Sequence, residues 1–201
     1  MFVKICGMTS TAAIEAAVAA GADAVGFVFA PSTRQVTTQQ ARELAAAVPD
    51  GVLRIAVLHH PSRDLAAQVL EEFAPDWLQS DAEDFGGLRL PSACGALPVY
   101  RTGRAPAAGA APPRLLFESP VSGSGRTADW DEARRLAAGT QLILAGGLDA
   151  ENVAAAIHAV RPWGVDVSSG VERAPGEKDR ARIEAFVTRA REAAEAARHG
   201  T

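Results

Sequence analysis

The segment GVDVSSGVERAPGEKD, from Gly164 to Asp179, carries residue types that bind an anion. An apolar strand candidate runs into Ser168, Ser169 and Gly170. This Ser/Gly turn offers hydroxyl and backbone N–H groups, and Gly170 lets the chain approach an oxyanion with no Cβ in the way. A second strand end of this kind lies upstream in LILAGGLDAEN, where the run Leu142 to Ala145 ends in Gly146-Gly147 and Asp149 is placed to cap a helix. Two successive strand ends that supply N–H donors describe a phosphate site. Polar residues also collect at the ends of the other apolar runs: Lys4 and Cys6, Arg34, Gln79 and Asp81, Glu118, and Asp166.

Short apolar or β-branched runs alternate with Ala-rich segments of helical period, giving about eight βα units. The strand candidates are Phe2–Cys6, Ala24–Phe29, Leu53–Leu58, Trp77–Gln79, Pro98–Arg101, Leu115–Phe117, Leu142–Ala145 and Val165–Val167. Helix candidates are Ala12–Ala20, Thr38–Ala47, Asp64–Phe73, Trp130–Ala138, Ala150–Ala159 and Arg180–Ala197. The last of these places Ile183, Phe186, Val187 and Ala190 on one core-facing side. Gly86 to Pro113 is rich in Gly, Pro and Ala, so irregular or shortened crossovers are expected there. The pattern predicts an α/β protein, a single (β/α)8 TIM barrel with parallel strands occupying residues 1–201 as one domain. An open doubly wound sheet is the alternative. Polar residues at strand C-termini and anion loops after the last two strands favour the barrel, which places its chemistry there.

The composition excludes several function classes. At 201 residues and 48% hydrophobic content the chain can bury a full core within one domain. A formal net charge of −4 with no basic block gives no footprint for nucleic acid. No apolar run approaches the about 20 residues that span a bilayer, and the chain begins in a strand instead of a charged leader. A cytoplasmic protein with no membrane or nucleic-acid partner is expected, and a monomer, since no spare amphipathic element is visible. Cys6 and Cys94, the only cysteines, are too few for a disulfide framework and are expected to be reduced. His59-His60-Pro61 lacks a third metal ligand at useful spacing and reads as a loop, so no metal is expected. Trp77, Trp130 and Trp163 read as packing anchors.

The segments VKICGMTS (Val3–Ser10), GADAVGFVFAPSTR (Gly21–Arg34), ILAGGLDAENV (Ile143–Val153) and DVSSGVERAPGEKD together resemble the phosphoribosylanthranilate isomerase family, almost from end to end. KICG is the most specific element and SSGVE…PG.KD nearly as distinctive. The resemblance implies an intramolecular aldose–ketose isomerase of tryptophan biosynthesis. It would convert N-(5-phosphoribosyl)anthranilate to 1-(2-carboxyphenylamino)-1-deoxyribulose 5-phosphate by an Amadori rearrangement, with no metal or organic cofactor and a small phosphorylated substrate as its partner. That chemistry needs an acid to protonate the ring oxygen and a base to take the C2 proton. By resemblance Cys6 is the base, helped towards thiolate by a helix starting at Thr9 or Ser10. Lys4, Arg34, Gln79 and Asp166 bind substrate, with Arg34 facing the anthranilate carboxylate. Gly146, Gly147, Ser168, Ser169 and Gly170 hold the phosphate.

Two departures from the family pattern stand out. Its usual aspartate at the end of the sixth strand is replaced by Glu118 in RLLFESPVSGSG, which becomes the expected acid. The added methylene moves the carboxyl by about 1 Å, enough to cost on the order of 100-fold in rate unless the backbone compensates. Burial beside Phe117 is expected to raise its pKa. In WLQSDAED, Ser80 stands where the family carries histidine, so that contact cannot be transferred. Asp166 can orient substrate or satisfy neighbouring backbone, and Gly123-Ser124-Gly125 can form a lid or a plain turn. Rival readings are another phosphate-handling barrel enzyme and a non-catalytic or substrate-shifted phosphosugar-binding barrel.

Overall fold

The computed structural model describes residues 1–107, 109–120 and 127–199. Eight parallel strands close a barrel: β1 (Phe2–Cys6), β2 (Ala24–Val28), β3 (Leu53–Val57), β4 (Trp77–Asp81), β5 (Gly95–Arg101), β6 (Arg114–Glu118), β7 (Gln141–Leu144) and β8 (Gly164–Val167). Closure comes from β1 pairing with both β2 and β8, Lys4 lying opposite Ala24 on one side and Asp166 on the other. The open-sheet alternative is thereby excluded. Among the described residues six α-helices lie along the chain: α1 (Thr11–Ala19), α2 (Thr38–Ala45), α3 (Arg63–Gln68), α4 (Trp130–Ala137), α5 (Val153–Val160) and α6 (Arg180–His199). No described helix is long and apolar enough to cross a membrane.

Local chemistry sets where the helices begin. Ser10, Ser62 and Asp129 each accept a backbone N–H from three residues ahead, and Thr37 forms a reciprocal capping box with Gln40. The crossovers after β4 and β5 are irregular, as their composition predicts: a 3-10 turn over Ala82–Gly86 follows β4, and no helix lies between β5 and β6 among the described residues. The third helix candidate ends in a π-helical turn, Val69–Phe73. Helix α5 begins three residues later than its pattern suggests. Asp149 caps the turn before it, its Oδ1 accepting from Glu151 N and Asn152 N at 2.8 and 3.0 Å.

Alternation along the strands sorts side chains into two apolar layers. Outward residues such as Val25, Phe27, Leu78, Phe117, Leu144 and Val165 pack under the helices. Inward residues such as Ala24, Ile55, Leu97, Leu116 and Ile143 fill the barrel. Phe2 stacks on Trp163 and Trp77 at the N-terminal end, with centroids at 4.7 and 5.5 Å, and the Arg114 guanidinium lies 3.9 Å over the Trp77 ring. Trp77 and Trp163 are packing anchors in that plug. Ascending each strand, the inward positions turn polar at Lys4 and Cys6, Gln79 and Asp81, Arg101, Glu118 and Asp166, all towards the C-terminal mouth.

Phe27 is fully buried and meets Phe73 edge-on at 5.1 Å, joining β2 to the turn after α3. Phe27→Ala should lower the unfolding free energy by about 3–5 kcal/mol. Urea denaturation followed by circular dichroism checks this; a loss below about 1 kcal/mol would show that the outer layer is not tightly packed.

Candidate active site

Cys6 ends β1 with its side chain inside the barrel, 7% exposed. Gly26 on β2 makes the room: a Cβ there would lie 2.8 Å from Cys6 Sγ. Lys4, two residues earlier on the same face, is completely buried and donates to Asp166 Oδ1 at 2.9 Å. Burial alone pushes the Lys4 ammonium down, but Asp166 and the thiol outweigh it and hold Lys4 protonated, above its ordinary range. Lys4 therefore sits beneath the mouth as the charge partner of Cys6 and Asp166, behind the surface a substrate reaches. The same ion pair engages Asp166.

Burial pushes the Cys6 thiol up, opposed by Lys4 and Lys178 and assisted by Asp166. Desolvation thus outweighs the help expected from the helix, whose N-cap is Ser10. In the free protein Cys6 rests as a thiol with two ammonium groups close by, ready to stabilise a thiolate when one forms.

The segment after β8 does more than cradle an anion. Ser169–Val171 makes a 3-10 turn, then Glu172–Ala174 and Glu177–Lys178 pair as an antiparallel hairpin across Pro175-Gly176. The hairpin returns Lys178 towards Cys6 and presents Glu172 to Arg34. Arg34 grips Glu172 with two bonds of 2.7 Å through Nε and Nη2, and Lys178 Nζ donates to the same carboxylate at 2.8 Å. Burial would raise Glu172, but these two cations hold it at about 2. Neither Glu172 nor Lys178 was assigned a role from sequence, although both lie inside the diagnostic motif. Charged residues in a buried hairpin were the available signal.

Gly146 and Gly147 follow β7, and Ser168, Ser169 and Gly170 follow β8; these two loops meet at Leu148 and Gly170. Gly170 also serves the packing of the two loops: a Cβ there would lie 2.0 Å from Leu148 O, so its absence lets them touch. Ser168 is engaged internally, donating to Cys6 O at 3.1 Å while its own carbonyl accepts Lys178 at 3.0 Å. The N–H groups opening the 3-10 turn are not used by the turn itself and are available to an anion. The segment Gly123-Ser124-Gly125 lies outside the described residues.

On the opposite side of the mouth, Glu118 ends β6 pointing inward, whereas Phe117 points out into the helix layer. Arg101 on β5 lies 3.1 Å from Glu118 Oε1 and also bonds Asp81 at the end of β4. A cation thus stands beside Glu118 where Phe117 was the expected neighbour. Gln79 faces the interior, 8% exposed, and its Oε1 has no hydrogen-bond partner among the described residues. Ser80 turns outward and donates to Asp84 at 2.5 Å. His59-His60 lie in the loop after β3, as expected, but the expected lack of a third ligand needs correction, because Asp81 supplies a ligand-type group there. The parallel register of β3 and β4 pairs residues 22 apart, Val57 with Gln79, and so carries His59 to Asp81.

The model of N-(5'-phosphoribosyl)anthranilate (PRA) isomerase matches residues 3–189. The chain belongs to that family. It is thereby an isomerase of tryptophan biosynthesis, on the barrel scaffold that its motifs implied. The N-(5'-phosphoribosyl)anthranilate isomerase of Streptococcus pneumoniae (strain Taiwan19F-14) is 41% identical over 190 residues, 93% of this chain and 94% of the relative. The crystal structure of phosphoribosyl anthranilate isomerase from Thermotoga maritima superposes with a TM-score of 0.82 at 30% identity, covering 96% of this chain and 99% of that one. TrpF from Jonesia denitrificans reaches 0.81 at 36% identity, over 96% and 98%. A further isomerase structure, at 30% identity and a TM-score of 0.80 over 96% of this chain and 99% of that one, holds reduced 1-(o-carboxyphenylamino)-1-deoxyribulose 5-phosphate.

The Glu172 cluster makes a pH-dependent prediction for this member of the family. A carboxylate depressed to about 2 in the folded state contributes stability above its unfolded value near 4.3 and loses it as pH falls through about 2. Glu172→Gln, which leaves Lys178 and Arg34 without their shared counter-charge, should cost about 3–5 kcal/mol at neutral pH. The gap to wild type should narrow between pH 4.3 and 2. Chemical denaturation across that range measures it, and a pH-independent difference would show that charge is not the cause.

Proposed function

We propose that Cys6 and Glu118 are the base and acid of the isomerisation of N-(5'-phosphoribosyl)anthranilate to 1-(2-carboxyphenylamino)-1-deoxyribulose 5-phosphate. The observation that carries this reading is the placement of Cys6 inside the barrel mouth, two residues beyond the buried Lys4–Asp166 pair and joined through Ser168 to the Lys178 ammonium. Glu118, in its protonated form, delivers a proton to the furanose ring oxygen as the C1–O bond breaks, and the nitrogen lone pair forms the iminium. Cys6 must first give up its own proton to solvent; as a thiolate it then takes the C2 proton and returns to the thiol, and the electrons of the C–H bond move to neutralise the iminium and leave an enolamine. Tautomerisation gives the ketose. Lys4 and Lys178 favour the thiolate that precedes this step, opposing the desolvation that disfavours it.

The remaining residues hold the substrate. Glu172 occupies Nε and Nη2 of Arg34, leaving the outer edge of a pre-oriented guanidinium for the anthranilate carboxylate. Gln79 Oε1, buried and unbonded among the described residues, is suited to accept from a sugar hydroxyl or the anilino N–H. Asp166 orients the reacting end through Lys4. Backbone N–H groups at Gly146, Gly147, Ser169 and Gly170 take the phosphate, while Ser168 links that loop to the Cys6 backbone. The reading extends to a monomer in the cytoplasm, consistent with two free cysteines and a diffusible phosphorylated substrate.

The decay of anthranilate-type fluorescence with freshly made N-(5'-phosphoribosyl)anthranilate tests the assignment. Wild type should abolish the signal, and Cys6→Ala and Glu118→Gln should each lower kcat by about 10²–10⁴-fold. Glu118→Asp should retain at least about tenfold more activity than Glu118→Gln, since it keeps a proton donor. Unchanged turnover in Glu118→Gln would sink the acid assignment. A wild-type protein that binds the reduced product analogue but consumes no substrate would mark a binding barrel.

A further inference from the structure

The register of β3 and β4 assembles a cluster to which the isomerisation proposed above gives no proton-transfer or substrate-binding role. His59 Nδ1 lies 2.6 Å from Asp81 Oδ2, and His60 Nε2 lies 3.2 Å from the same oxygen. The three ligand atoms all fall within 4.8 Å of one another. We propose that His59, His60 and Asp81 form a binding site for a divalent transition-metal ion, of the two-histidine, one-carboxylate type that suits Zn²⁺ or Co²⁺.

Four features carry the site beyond a chance meeting of polar groups. Asp81 is 1% exposed, and Arg101 holds its Oδ1, so the carboxylate is fixed with Oδ2 directed at the histidines. The His60 ring sets Nδ1 2.9 Å from Asp84 Oδ1, which orients the ring with Nε2 towards Asp81, where loss of the Nε2 proton would free a lone pair for the ion. Asp84 is itself held by Ser80 Oγ at 2.5 Å and by the His60 backbone N–H at 3.1 Å, giving the outer carboxylate–histidine support typical of metal sites. Finally, both rings are about half-exposed, their centroids 4.3 Å apart, so an ion has an entry path and the rings can draw in to bonding distances of about 2.0–2.2 Å. Three protein ligands leave positions for water or an anion, and the borderline-soft imidazole pair favours Zn²⁺ or Co²⁺ over Mg²⁺ or Ca²⁺. The competing description is a hydrogen-bonded His–Asp cluster, in which the protons now on the imidazoles stay there.

Co²⁺ added to chelator-treated full-length protein distinguishes the two by its visible d–d absorption, with Zn²⁺ titration by calorimetry giving stoichiometry. One ion per chain is expected. His59→Ala and His60→Ala, at half-exposed positions, should each weaken binding at least tenfold, and Asp84→Asn should weaken it about 10–100-fold through loss of outer support. Cys94→Ala should leave it unchanged. Circular dichroism of each variant separates lost binding from lost folding. No saturable binding, or binding that survives the double His59→Ala/His60→Ala change, would overturn the site and leave the hydrogen-bonded cluster.

Discussion

An ammonium group with no exposure to water has to be neutralised where it lies, and Lys4 imposes that constraint on the whole mouth of the barrel. Its partner, Asp166, stands on β8 in register with it, so the ion pair forms only when the sheet closes between the first and last strands. Closure and charge neutralisation are one event. The pair in turn fixes the field in which Cys6 sits, and Lys178, the second fully buried ammonium, reaches that thiol only because the hairpin after β8 folds back. Glu172 is the counter-charge that makes this return possible, and it binds Arg34 in the same act. The chemistry of the thiol therefore depends on residues separated by nearly the full chain.

The mouth divides into two electrostatic halves. Around Cys6 the charges are buried and tightly matched, a geometry suited to stabilising a developing anion without reorganisation. From β3 to β6 a chain of alternating partners runs through His59, Asp81, Arg101 and Glu118, each contributed by the next strand. This half is wetter and softer, with exposed imidazoles at one end. Gln79 stands inward on β4 within that half, its carbonyl oxygen lacking a partner among the described residues.

Much of the scaffold was legible because it rests on local rules. Short apolar or β-branched runs located all eight strands, β1 to the residue, and the cap at Ser10 is one of the two start positions expected for α1, set by a side chain that competes for an early N–H group. What escaped was set by register between strands. Nothing in the spacing of His59 and Asp81 marks them as neighbours until β3 and β4 are aligned. Lys178 and Glu172 are invisible as a pair until the Pro175-Gly176 hairpin turns one towards the other. The close approach of Gly170 to Leu148 O was likewise hidden, because that atom belongs to a different strand end.

The exchange of aspartate for Glu118 is best understood through Arg101. A longer arm has an extra rotatable bond, and the 3.1 Å contact to Arg101 restrains it. Asp81, buried at the end of β4, bonds the same guanidinium. Arg101 is therefore itself fixed by a carboxylate with almost no freedom to move, and what it fixes in turn is the arm of Glu118. The position of the carboxyl at the end of β6 is thus set through β5 by a buried group on β4, so three successive strand ends determine where it can reach.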